Sequence, residues 1–193
     1  MTAIVILAAG GSRRLGSPKQ NLNFNGQTLL QSAIKNALQV SETVIVVLGA
    51  HREDIAYSIQ DQPVQILNNV KWTEGMSTSI TMTISELQTA YLQVHEVILM
   101  VCDQPYADAT LLNQLLDKGA NSEKGIIASA YEGTIGVPAL FKAKYFPYLL
   151  ALKGDEGAKA LLTQHADDVD SVDFPQGSID IDTPEDKAQL HNQ

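Results

Sequence analysis

The chain has 193 residues, 45% of them hydrophobic and 18% charged, and carries a formal net charge of −9. This composition predicts a globular protein and excludes a disordered one, while the acidic balance argues against nucleic acid, whose phosphates need a basic face. The single cysteine, Cys102, excludes an internal disulfide framework and fits a reducing, cytoplasmic compartment.

The first predicted element is a strand, AIVIL at 3–7, a continuous apolar run of the kind buried on both faces. No positive region precedes it and no apolar stretch nears the ~20 residues that span a bilayer, so neither signal peptide nor membrane contact is expected. A helix follows over 28–39, with Leu30, Ala33, Ile34, Ala37 and Leu38 on one face and Thr28 and Gln31 at capping-box spacing. Then come a buried strand over 43–48, a helix over 52–60 and a short strand over 64–67. Ile80, Ile84, Leu87 and Tyr91 set a helix over 77–93, and EVILM at 96–100 begins a strand over 96–101 that runs into CDQP. Asp108 can cap a helix carrying Leu111, Leu112, Leu115 and Leu116. Later strands are expected over 125–130 and 137–141, and later helices over 157–165 and 184–191. This rhythm predicts an α/β protein of three layers, a mostly parallel sheet covered on both faces. No linker divides it, so 1–193 reads as a single domain, with the part after about residue 131 expected as a subregion covering one edge of the site.

Ligands of open α/β sheets bind beyond the carboxyl ends of the strands, where strand order reverses. The segment LAAGGSRRLGSPK at 7–19 lies there. Gly10, Gly11 and Gly16 let backbone N–H groups approach an anion, and Arg14 and Lys19 can bond phosphate oxygens; Arg13 reads as solvated. The segment is not a P-loop, because Ser17 stands where the lysine must be, and no G-x-G-x-x-G is present to bind a dinucleotide. Asp103 ends a neighbouring strand if strand order runs 3-2-1-4, and a carboxylate beside a polyanion calls for a bridging cation such as Mg²⁺. Asp108 takes the cap, so Asp103 is left for that role, with Pro105 holding it in a turn. Cys102 reads as a small buried hydrophobe. In SIDIDTPED at 178–186, Thr183 and Asp186 can form a cap, which leaves Asp180 or Asp182 for a metal. Trp72 reads as a packing anchor rather than a base-stacking ring. The four histidines, at 51, 95, 165 and 191, show no ligand spacing and read as surface or helix-end residues.

LAAGGSRRLGSPK resembles the L-A-A-G-x-S-x-R-M-G-x-x-K signature of the MobA-like NTP transferases, which include the molybdenum cofactor cytidylyltransferases. Leu7, Ala8, Ala9, Gly10, Ser12, Arg14, Gly16 and Lys19 fall on the pattern, and Leu15 replaces its methionine. EGMSTSI (74–80), CDQP (102–105), GDEGAKALL (154–162) and DIDTPED (180–186) resemble later blocks of the cytidylyltransferase branch. The resemblance implies a Rossmann-like nucleotidyltransferase fold with a mixed, mostly parallel central sheet. It implies that Leu7, Ala8, Ala9, Gly10, Gly11 and Ser12 border the nucleotide with Arg14 and Lys19 on its triphosphate, and that Gly75 and Ser79 lie near base or ribose. It further implies Asp103 and Asp182 on Mg²⁺, with Mn²⁺ as a substitute, and Arg14, Lys19 and Asp103 as the catalytic set. The implied reaction moves NMP onto a phosphate-bearing acceptor and releases pyrophosphate; CTP is favoured, since Ala9 in LAAG leans toward a pyrimidine, and molybdopterin is the favoured acceptor. Val137 in GVP and Lys159 in GAK depart from common relatives and leave the acceptor open. The alternatives are a different sugar- or alcohol-phosphate acceptor, or a non-catalytic accessory protein serving a molybdoenzyme or its chaperone.

Overall fold

The computed structural model describes residues 1–12, 15–181, 183 and 186. Nine strands and six helices are formed among the described residues. They are β1 (Thr2–Ala8), β2 (Asn23–Phe24), β3 (Gln27–Thr28), α1 (Leu29–Leu38), β4 (Val44–Leu48), α2 (Arg52–Ser58), β5 (Gln65–Asn68), α3 (Met76–Ala90), β6 (Glu96–Val101), α4 (Ala109–Asn121), β7 (Ile126–Tyr131), β8 (Thr134–Lys142), α5 (Phe146–Leu150), α6 (Lys159–Gln164) and β9 (Val169–Asp173). The main sheet has seven strands in the order β5-β4-β1-β6-β8-β7-β9. β8 is antiparallel to both neighbours and the remaining pairs are parallel.

The apolar strands alternate sides. Ala3 and Val5 of β1 join a core under α3, α5 and α6, while Ile4, Ile6 and Ala8 join a second core under α1, α2 and α4. That makes the three-layer arrangement the periodicity predicts. The α1 capping box forms as expected: the Gln31 amide donates to Thr28 Oγ1 at 3.1 Å and the Thr28 amide to Gln31 Oε1 at 3.0 Å. Asp108 caps α4 through the Leu111 amide at 2.9 Å. Thr183 and Asp186 exchange their expected pair of bonds, at 2.8 and 3.2 Å; the rest of the predicted helix over 184–191 lies outside the described residues, as does His191.

Two expectations change, and one residue shows more than was expected of it. The helix predicted to 93 stops at Ala90. The part after residue 131 is no separate subregion: after the turn at Glu132 and Gly133, both at positive φ, β8 folds back between β6 and β7 and extends the same sheet. His165 ends a helix as expected, yet its ring packs edge-on against Tyr145 and Tyr148, with centroids 5.1 and 4.6 Å away, and its Nε2 is buried.

Candidate active site

The chain runs from β1 to β4 to β5 in one direction and returns to place β6 on the other side of β1, so strand order reverses between β1 and β6. The loops leaving those two strands meet at this edge, where the Lys19 ammonium is ion-paired with Asp103 Oδ2. Lys19 and Asp103 are thus brought together, although the sequence pattern assigns Lys19 to phosphate oxygens. The other carboxylate oxygen, Asp103 Oδ1, is buried and has no hydrogen-bond partner among the described residues.

The loop after β1 is held from beneath. Gln20 is 1% exposed; its Nε2 donates to the carbonyls of Ala8 at 2.7 Å and Gly10 at 3.0 Å. The Ala50 amide holds the Ala9 carbonyl at 3.1 Å. Ser12, at φ 48°, turns its hydroxyl to accept from the Lys19 amide at 3.0 Å. The Ser12 carbonyl accepts from the Leu15 and Gly16 amides at 3.1 and 3.2 Å, and Gly16 needs its positive φ of 69° to make the turn. Leu15, in the signature's methionine position, packs with Leu22, Leu29 and Ile181. Arg13 and Arg14 lie outside the described residues.

Beside this loop is a cavity of about 430 Å³. Leu7, Ala9, Gly10, Gly75 and Ser79 line it, together with Trp72 and Asp155. Ala8 faces away from it into the core under α1. Trp72 both packs and lines: it joins the core under α3, and a Cβ on Gly11 would sit 3.3 Å from its ring. Gly75 is required twice over, since its φ is +115° and a Cβ there would overlap the Gly154 carbonyl. That contact docks the segment bearing Asp155 on the start of α3, where the Ser77 amide donates to the Gly154 carbonyl at 3.1 Å. Ser79 is buried, and its hydroxyl accepts from Asn69 Nδ2 at 2.8 Å, as does the Thr78 hydroxyl at the same distance.

On the other side of Asp103 the chain is fastened to the segment that carries the second acidic cluster. The Ile181 amide donates to the Asp103 carbonyl at 3.0 Å, and Gln104 Nε2 donates to the Gly177 carbonyl at 2.9 Å. Asp180 lies close enough to Tyr131 to raise its phenol, after the larger effect of burial. Asp182 lies outside the described residues. Cys102 is buried as expected; burial, then the neighbouring Asp103 charge, pushes its thiol up to about 12, which removes it as a nucleophile.

No group of three or more His, Cys, Asp or Glu side chains able to cage a metal exists among the described residues. The orphaned Asp103 Oδ1 does fit a divalent cation of the Mg²⁺ kind, which is held by one or two carboxylates and completes its shell with substrate phosphates and water.

Sequence reasoning missed Gln20, Asn69, Gln104 and Asp155. The first three are amides whose partners are fixed only by the fold. Asp155 sits in the quoted GDEGA block, and that block was its one available signal.

A glycine loop and a strand-end carboxylate meeting where a doubly wound sheet reverses define a Rossmann-like nucleotidyltransferase architecture. The chain belongs to the MobA-like NTP transferase family, whose domain model matches residues 4–169. Nicotine blue oxidoreductase of Paenarthrobacter nicotinovorans is 30% identical, over 96% of this chain and 94% of that protein. The molybdenum cofactor cytidylyltransferase of Escherichia coli K12 is 33% identical over 47% of this chain and 49% of that protein. The crystal structure of Rv0371c from Mycobacterium tuberculosis H37Rv is 26% identical and superposes with a TM-score of 0.82, covering 100% of this chain and 98% of the other. No helix among the described residues is long and apolar enough to cross a membrane.

Proposed function

We propose that the chain transfers CMP from CTP to the phosphate of a molybdopterin-type acceptor and releases pyrophosphate. The observation that carries this reading is the meeting of Lys19 and Asp103 at the sheet edge where strand order reverses; the loop after β1 that leads to Lys19 also lines the cavity, through Ala9 and Gly10. Leu7, Ala9, Gly10, Gly75 and Ser79 border the base and ribose, and the loop from Ala8 to Ser12 follows the triphosphate. Arg14 and Lys19 bind its phosphate oxygens. An acceptor phosphate oxygen attacks the α-phosphorus; that P–O bond forms as the bond to the β-phosphate bridging oxygen breaks, and the electron pair leaves with pyrophosphate. A phosphate nucleophile needs no strong base, so the side chains act by positioning and by neutralising charge. Asp103 and Asp182 hold the divalent cation, Mg²⁺ or Mn²⁺, which when bound supplies positive charge at the reacting phosphates. The cytidylyltransferase relative supports CTP and the molybdenum cofactor as substrates.

A thermal-shift comparison of the four common NTPs with Mg²⁺ tests the binding half of this reading. CTP is expected to raise Tm by about 5 °C or more at a hundredfold excess over Kd, because it binds only the folded state. No shift with any NTP would contradict it. The relative named nicotine blue oxidoreductase gives a redox alternative some standing; consumption of NAD(P)H by the pure protein, without NTP binding, is the result that would favour it.

A further inference from the structure

We propose that Gln20 is a positioning residue that fixes which way the Gly10–Gly11 peptide faces, and so aims the Gly11 N–H at the bound triphosphate. This rests on the reading that the loop holds a triphosphate. Gln20 is almost fully buried, and a primary amide has two N–H donors. Both are used on loop carbonyls: Ala8 at 2.7 Å and Gly10 at 3.0 Å. In a trans peptide the C=O of one residue and the N–H of the next point in opposite directions. Holding the Gly10 carbonyl toward Gln20 therefore turns the Gly11 N–H away from it. Holding the Ala8 carbonyl does the same for the Ala9 N–H.

The location makes this orientation consequential. A peptide between two glycines has little steric preference of its own, because neither residue has a Cβ. Without a donor beneath it, the Gly10–Gly11 plane can rotate and present a carbonyl, with its partial negative charge, where an anion must sit. The neighbouring carbonyls are also occupied, Ala9 by the Ala50 amide at 3.1 Å and Ser12 by the Leu15 and Gly16 amides at 3.1 and 3.2 Å. Among the described residues, the amides of Gly10, Gly11 and Ser12 donate to no backbone or side-chain acceptor. A run of open N–H groups, with the carbonyls of Ala8, Ala9, Gly10 and Ser12 tied back, is an anion cradle. Gln20 also follows Lys19 directly, so the residue that orients the cradle is tethered to the cation that serves it.

The test uses Gln20→Met, which keeps the length and removes the donors, and Gln20→Asn, whose amide falls one methylene short of both carbonyls. Trp72 is the only tryptophan in the chain and its ring borders Gly11, so its emission reports the loop directly. Ser129→Ala is the stability control: Ser129 is buried in β7, three places along the sheet from β1, and donates to the Pro138 carbonyl at 2.6 Å. Both Gln20 variants are expected to raise KM for the NTP about tenfold, leaving kcat and the acceptor KM within about threefold of wild type, the pattern of lost uniform binding. Trp72 quenching by CTP should weaken in parallel, whereas Ser129→Ala lowers Tm and leaves the NTP KM unchanged. The inference is overturned if wild type binds an NTP and whichever Gln20 variant folds binds it equally well, or if Ser129→Ala raises the NTP KM as much. If wild type binds no NTP at all, it is the triphosphate reading that fails.

Discussion

Asp103 sits 84 positions from Lys19 in the chain and at the adjacent strand end in space. With one oxygen paired to Lys19 and the other without a partner among the described residues, it is a half-satisfied carboxylate. Replacing Lys19 by Met removes the counter-charge that Asp103 has among the described residues and, on the proposed reading, a phosphate ligand as well. Calorimetry should show a lower Tm, and pyrophosphate release should fall by about 10²-fold, the range seen when one charge-stabilising group is lost. The Cys102 thiol, raised to about 12 by burial, should resist a chromogenic thiol reagent at about pH 8 in the native protein and react once unfolded. Rapid native labelling would show that the strand end opens. Lys19 and Asp103 were legible because a cation in a glycine loop and an acid ending a buried strand have no packing reason to be there. Gln20, Asn69 and Gln104 were not, since an amide satisfies whichever carbonyls and hydroxyls the fold delivers.

Among the elements, the start of α3 is held by backbone contact rather than by a cap. No side chain caps its first turn; Gly75 lies against the Gly154 carbonyl, and Asn69 binds the hydroxyls of Thr78 and Ser79. Gly75→Ala should therefore push the Asp155 segment away, lower Tm and weaken NTP binding, both measurable in one thermal-shift titration. At the far edge, Asp168 accepts from Lys144 Nζ at 2.7 Å and Tyr145 OH at 2.6 Å. Lys144, then Tyr145, holds its carboxyl down at about 2, against an ordinary value of 3.8. A depressed carboxyl stabilises above its ordinary pKa and loses that stabilisation as pH falls toward the folded value. Asp168→Asn should lower stability at neutral pH by under about 1 kcal/mol, after screening at this partly exposed site. The gap should close between pH 3.8 and about 2; a gap that persists at the acid end would contradict the assignment. The β2–β3 hairpin went unread although Asn25 and Gly26, at φ 52° and 81°, are the residues such a turn selects. β9, VDSVD, escaped because an exposed edge strand lacks a continuous apolar run.

At the scale of the whole molecule, two cores clamp one sheet, and the loops at its reversal point inherit that rigidity. Phe141 of β8 is fully buried in the core under α3, α5 and α6. Phe141→Ala should cost about 3–5 kcal/mol, read as a fall in the denaturation midpoint. The first half of the fold was legible because each βα unit is local and parallel; the 3-2-1-4 order was a condition of the sequence reading, and the sheet meets it. The second half was not, because a single tight turn reverses β8 and seats it between β6 and β7, a pairing that periodicity alone does not encode. The central claim is that Asp103 serves nucleotidyl transfer at this edge. Pyrophosphate release from CTP plus a molybdopterin acceptor, with and without Mg²⁺, for wild type and Asp103→Asn tests it most directly. Wild type should release pyrophosphate only with both acceptor and cation, and Asp103→Asn should lose about 10²–10³-fold while staying folded by circular dichroism. Near-normal release by Asp103→Asn, or none by wild type from any NTP, would contradict it.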